Sequence, residues 1–159
     1  MIQRIQSIFL LLVAAGMTLF LIFPLWIKFN ADTGELYQIT ACQLNHIDGS
    51  GNESKIYFPY IISAGLAFLS IVVALFEIFQ YKNRLNQIKM GAINSLIMAG
   101  ALITAIYLTY TGQTDFIPEI RGKYMMGVFF PVGALLFNSL ANRFIRKDEE
   151  LVRSVDRIR

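Results

Sequence analysis

Four long apolar runs leave this chain few ways to fold. They cover about residues 5–27, 56–80, 90–110 and 125–142. Each is close to the roughly 17–25 residues that cross a hydrocarbon layer as a helix. Inside lipid every backbone N–H and C=O must pair within its own segment, so four separate runs imply four helices. Composition agrees. Of 159 residues, 55% are hydrophobic and only 16% are charged, against roughly 25% charged in soluble domains. One domain of this length has no aqueous core large enough for that apolar excess.

The first run begins with Arg4 and passes through Ala14-Ala15-Gly16, which resembles a cleavable leader. Its apolar stretch continues to Phe23, beyond the roughly 7–15 residues of a leader core. A retained span is expected.

Lysine and arginine fix a topology. With both termini in the cytoplasm, the inner side holds Arg4, Lys82, Arg84, Lys89, Arg143, Arg146, Lys147, Arg153, Arg157 and Arg159. The outer side holds Lys28, Lys55, Arg121 and Lys123. This asymmetry follows the positive-inside rule. The formal net charge of +3 therefore marks orientation rather than a nucleic-acid surface. Trp26, Tyr57, Tyr60, Tyr107, Tyr110 and Tyr124 fall at outer ends and Tyr81 at an inner end, where amphipathic rings sit at headgroup depth.

The outer loop, residues 28–55, is the largest segment between spans. Asp32-Thr33-Gly34 is a turn signal between residues that tolerate extended structure, so a small β-hairpin can form there. GSGNES reads as a polar linker. In the second outer loop, Pro118 and Gly122 favour a turn. The tail, residues 143–159, has no Gly or Pro. Leu151, Val155 and Ile158 recur at helical spacing, and two readings stay open. One is an amphipathic helix that meets anionic lipid or a partner. The other is a solvated extension of the fourth span.

Glu77 lies inside the second apolar run. Ser63, Ala67, Ser70, Ala74, Glu77 and Tyr81 are spaced alternately four and three residues apart, the period of a left-handed helix contact. Membrane helices approach closely where side chains are small, so Glu77 is expected to face other helices. At its depth the other runs supply Arg4, Asn94, Asn138, Asn142 and Arg143. These six residues are read as an inner-leaflet polar cluster that joins the helices, with Glu77 meeting Arg4 or Arg143 and the amides. A proton or cation relay is the alternative, but the outer halves of the runs offer no titratable groups to continue it. In the fourth run, Pro131 between Gly127 and Gly133 predicts a kink.

Catalytic chemistry is not evident. Cys42 and His46 are four apart, fewer ligands than the three or four that zinc takes from protein. The lone Cys42 excludes an intramolecular disulfide. The lone histidine has no nucleophile arranged with it, and no glycine-rich phosphate loop is present. No metal, cofactor or enzymatic activity is expected.

The two ends, MIQRIQSIFLLLVAA and LANRFIRKDEELVRSVDRIR, resemble an uncharacterised family of short four-span inner-membrane proteins from Bacteroidota. The resemblance runs end to end and implies a bacterial cytoplasmic membrane location, but it transfers no site residues. The larger first outer loop also loosely resembles claudin-like tetraspans in shape, without their paired loop cysteines.

The expectation is an all-α membrane protein: a four-helix bundle with a small outer cap and a cytoplasmic C-terminal helix. Its expected role is a non-enzymatic scaffold or accessory subunit, with the lipid bilayer and other membrane protein subunits as partners. Small-solute or ion transport through the Glu77 cluster is the second reading. Topology is directly testable. In a Cys42→Ser background, cysteine introduced by Ser154→Cys should react with an impermeant thiol reagent only from the cytoplasmic side; labelling from outside overturns the arrangement.

Overall fold

The structure, a computed structural model, describes residues 2–80, 83–116 and 119–156, with side chains from residue 5 onward except at 153, 155 and 156. Helix α1 spans Ile2–Ile22, and four strands follow: β1 Trp26–Phe29, β2 Leu36–Ile39, β3 Leu44–Ile47 and β4 Glu53–Ile56. Then come α2, Ile61–Phe79, and α3, Arg84–Asp115. Strand β5, Lys123–Tyr124, and a 3₁₀ turn at Met126–Val128 lead into α4, Phe129–Asp156. All four helices are long and apolar enough to cross a membrane.

The all-α expectation is overturned by the sheet. Five antiparallel strands run in the order β4-β3-β2-β1-β5, so the fold mixes helices with a small sheet. The physical reason lies in the loop chemistry. Asn30–Glu35 closes the first hairpin, with Asn30 N–H donating to Glu35 O at 2.9 Å and Gly34 at φ +74°. Thr40 closes the second by bonding Gln43 through both backbone and hydroxyl. The presumed linker GSGNES is a third turn that runs into β4, with Gly51 at φ +85°. Positive φ is where glycine carries no Cβ penalty.

Strand β1 pairs with β2 on one side and β5 on the other, with Trp26 opposite both Ile39 and Tyr124. Residues two apart share a face. One face therefore presents the row Trp26, Ile39, Leu44 and, beside it, the row Lys28, Tyr37, His46. Trp26, Ile39 and Leu44 are fully buried with Phe20 and Leu25 of the α1 end, so this face is turned to the helices. Ser63, in the first turn of α2, donates to Ala41 O at 2.7 Å and fastens the β2–β3 turn.

The helices form a closed circuit: α1 packs on α2 and α4, and α3 packs on the same two. On α2 the small-residue seam is the buried stripe. Ser63, Ala67, Ser70, Ala74 and Glu77 are buried, while Phe68, Leu69, Val72, Phe76 and Phe79 are exposed. On α1, Phe9 stacks on Phe144 of α4 at 5.6 Å, and Gly16 faces Ala134.

Several span limits move. Helix α1 stops at Ile22 because Pro24 disfavours helix in the residue before it, and Trp26 and Ile27 join the sheet. Helices α3 and α4 overrun their apolar runs at both ends or at the inner end. The kink expected at Pro131 is replaced by an ordinary helix start. Pro131 is the third residue of α4, where its missing N–H would have no intrahelical acceptor anyway. Helix α4 then continues without interruption through the tail to Asp156.

Gly127 marks the tightest join between sheet and helices. A Cβ there would lie 2.7 Å from Phe23 O and 2.8 Å from a Leu25 methyl, whereas one at Gly133 would meet open space. Gly127→Ala should destabilise by about 1–3 kcal/mol. Gly133→Ala, inside α4, should be neutral or stabilise by up to about 1 kcal/mol. Thermal unfolding of both variants in one detergent checks the pair.

Candidate functional site

Three contacts set the relative levels of the helices. Gln87 of α3 donates from Nε2 to the backbone carbonyl of Glu77 at 3.2 Å. Asn138 of α4 donates from Nδ2 to Gly91 O at 2.7 Å and to Ser95 Oγ at 2.8 Å. The Phe9–Phe144 stack aligns α1 with α4. Counting in antiparallel register from these points places Gln6, Glu77 and Gln87 at one level. Ser70, Asn94 and Asn138 fall about two turns further toward the sheet. Each of these six side chains is 5% exposed or less.

Their hydrogen bonding divides them. Asn138 is a clasp between α3 and α4, and Asn142 packs beside it against Gly91. Glu77 has no such role. Among the described residues neither of its carboxyl oxygens has a hydrogen-bond partner, and the same holds for both amide atoms of Asn94 and for Ser70 Oγ. Gln6 Nε2, Asn138 Oδ1 and Asn142 Oδ1 are also unpartnered. Leaving a buried polar atom unpaired costs roughly 1–3 kcal/mol, so this interior is held at the expense of stability. Most of its unpartnered atoms are oxygens, the donor type suited to hard cations, protons and water.

The expected partners of Glu77 are thus only partly brought together. Asn94 and Asn138 are buried in the same half of the structure. Asn142 is half-buried and Arg143 is exposed. No ion pair joins Arg143 to Glu77 among the described residues. The side chain of Arg4 lies outside the described residues. In the tail, Leu151 is exposed, and the side chains of Val155 and Ile158 also lie outside them. Sequence reasoning missed Gln87, although it follows the inner loop at the same depth as Glu77.

A second polar feature, also missed, sits under the sheet. Lys28 is 1% exposed. Its ammonium donates to Gln113 O at 3.3 Å and to Phe116 O, at the end of α3 where carbonyls lack intrahelical donors. A cation there also opposes the negative end of the helix dipole. Burial pushes the Lys28 pKa below its ordinary value. Gln113 completes the cap, donating to Ile120 O and accepting from Gly122 N–H. Beside it Tyr37 stacks between Phe116 at 4.8 Å and His46 at 4.2 Å. His46 is therefore part of an aromatic stack, while Cys42 lies in the β2–β3 turn. Among the described residues no three His, Cys, Asp or Glu side chains converge.

A family model described as a domain of unknown function, DUF4293, matches residues 2–158. The chain belongs to that family. No curated protein matches it.

The division within the polar interior predicts opposite responses to substitution. Asn138→Leu should cost about 1–3 kcal/mol, because two hydrogen bonds between α3 and α4 are lost. Glu77→Gln should leave the unfolding midpoint unchanged or raise it, because it removes an unpaired carboxyl and breaks no bond. Unfolding followed by tryptophan fluorescence measures both. A loss at Glu77→Gln as large as that at Asn138→Leu would mean that the carboxyl holds a partner.

Proposed function

We propose that this DUF4293 protein is a four-span protein of a bacterial cytoplasmic membrane, in the Bacteroidota setting its ends suggest. In this reading both termini face the cytoplasm, and the protein serves as a non-enzymatic scaffold or accessory subunit for other membrane proteins. The observation that carries the reading is the way the polar interior ends. Above Ser70, Asn94 and Asn138 the buried side chains include Met17, Phe20, Leu25, Met98, Ala101 and Ala105, capped by Trp26, Ile39 and Leu44 of the sheet. A solute path needs available polar groups along its length, and the buried polar side chains Ser63, Thr109 and Lys28 there are bonded to backbone carbonyls. A closed, capped set of helices supports a binding role.

Small-solute or ion transport is the second reading, favoured by one observation: the unpartnered carboxyl of Glu77 lies among unpartnered oxygens. Proteoliposome flux assays separate the two. Accumulation of a solute or cation that depends on Glu77 would establish transport.

The accessory reading places its partner contact on the tail. Leu151 is exposed on the continuous α4. Arg146, Lys147, Arg153, Arg157 and Arg159 exceed the four acids Asp148, Glu149, Glu150 and Asp156 by one. That surplus is weak for lipid attraction of about 1 kcal/mol per base, so a protein partner uses the helix better. Deleting residues 151–159 should leave the protein in the membrane fraction but remove a protein that co-purifies with the full chain in gentle detergent. Retention of every co-purifying protein overturns the tail as the contact.

A further inference from the structure

A groove of about 780 Å³ opens between α3 and α4 toward the end that carries both termini. Its walls include Ser95 of α3 and Ser139, Asn142, Arg143, Arg146 and Lys147 of α4. Glu150 closes the far end. Three bases thus face one acid. The nearby Asp148 adds little negative field, because Arg84 pairs with it at 3.0 Å. Arg143, Arg146 and Lys147 are exposed, and none is joined to an acid among the described residues.

The groove also has a direction. Toward the middle of the helices the lining ends at Ser95 and Ser139, and the residues that follow them, Leu96 and Leu140, are apolar and exposed. Toward the helix ends it becomes basic. A ligand lying along it would meet aliphatic side chains first and guanidinium and ammonium groups last. That is the order of a phospholipid, acyl chains followed by phosphate. A free phosphate would use only the basic end. Asn142 stands at the boundary, its Oδ1 buried without a partner. Basic pockets between membrane helices on the cytoplasmic side suit anionic headgroups, and guanidinium groups match phosphate oxygens in geometry.

We propose that this groove binds an anionic phospholipid, with Arg143, Arg146 and Lys147 on the headgroup phosphate and the acyl chains against Leu96 and Leu140. The inference rests on the membrane reading above. Bound lipid bridges α3 and α4 beyond the Asn138 clasp and holds the end of α4 close to the bilayer surface.

The test uses the full chain in a neutral detergent. Thermal stability is titrated with phosphatidylglycerol, with phosphatidylcholine and with glycerol phosphate. Phosphatidylglycerol should raise the unfolding temperature saturably, and the other two should not. The variant Arg143→Gln/Arg146→Gln/Lys147→Gln should bind phosphatidylglycerol about a hundredfold more weakly, from three lost bases near an anion. Should that variant fail to fold, Glu150→Gln decides: it removes the opposing charge and should tighten binding about fivefold. Equal shifts from phosphatidylcholine, or unchanged affinity in either variant, overturn the proposal. An equal shift from glycerol phosphate overturns the lipid and leaves a free-anion site. Alkaline carbonate extraction of membranes distinguishes the two levels of failure. A chain released by carbonate sinks the membrane reading itself, whereas a retained chain with no lipid preference sinks only this inference.

Discussion

The pairing of Trp26 and Ile27 with strands on both sides is the interaction on which the architecture depends. Helix α1 hands the chain to β1, and β2 to β4 return it to α2. Between α3 and α4 only a short connection is available, and its strand β5 is two residues long. It pairs with β1 rather than with a neighbour in sequence. The two interhelix connections are thereby tied through backbone hydrogen bonds, and the ends of four helices are fixed beneath one sheet. Trp26 completes the join from the side-chain direction, because its indole occupies the space that a Cβ at Gly122 would need.

Beneath that join the interior changes character along its length. Near the sheet the buried polar side chains Ser63, Thr109 and Lys28 all bond backbone carbonyls, and the Lys28 ammonium satisfies those that a helix end leaves open. Near the termini the interior holds Gln6, Ser70, Glu77, Asn94 and Asn138. The two polar regions have opposite economies. Lys28 stabilises the end of α3 by direct bonds, whereas Glu77 is buried without one. A residue kept at such a cost is more informative about function than one kept for packing, since stability alone would favour an apolar side chain of similar volume.

Much of the helical part was legible in the sequence because its signals are periodic. The four runs stand out by length, and alternate four- and three-residue spacing was enough to place Glu77 on the inward side of α2. The sheet was less legible. Its strands have at most four residues each, too few for alternation to rise above noise. Asp32-Thr33-Gly34 announced the first hairpin and Pro118 with Gly122 a turn before β5, but β5 itself has no local strand signal because its partner lies about a hundred residues away. Pro131 misled because its effect depends on where the helix begins, and that point is set by the packing of Gly127 against Phe23 and Leu25. The exposure of Arg143 was not legible for a related reason: depth can be counted along a sequence, but the azimuth of Arg143 around α4 depends on how the helices pack. The coarse resemblance, to an uncharacterised family, agrees with membership in DUF4293.

Helix α4 has 28 residues without a break, about 42 Å at 1.5 Å per residue. A helix of that length can act as a lever about the close seat at Gly127. A tilt of about 5° at the seat sweeps the far end sideways by about 4 Å on this geometry, close to the width of a side chain. A ligand or protein that grips the last turns therefore has mechanical advantage over the α3–α4 seam, where the Asn138 clasp and the unpaired groups behind it lie. Displacement of the tail is thereby geared to the spacing around the buried carboxyl.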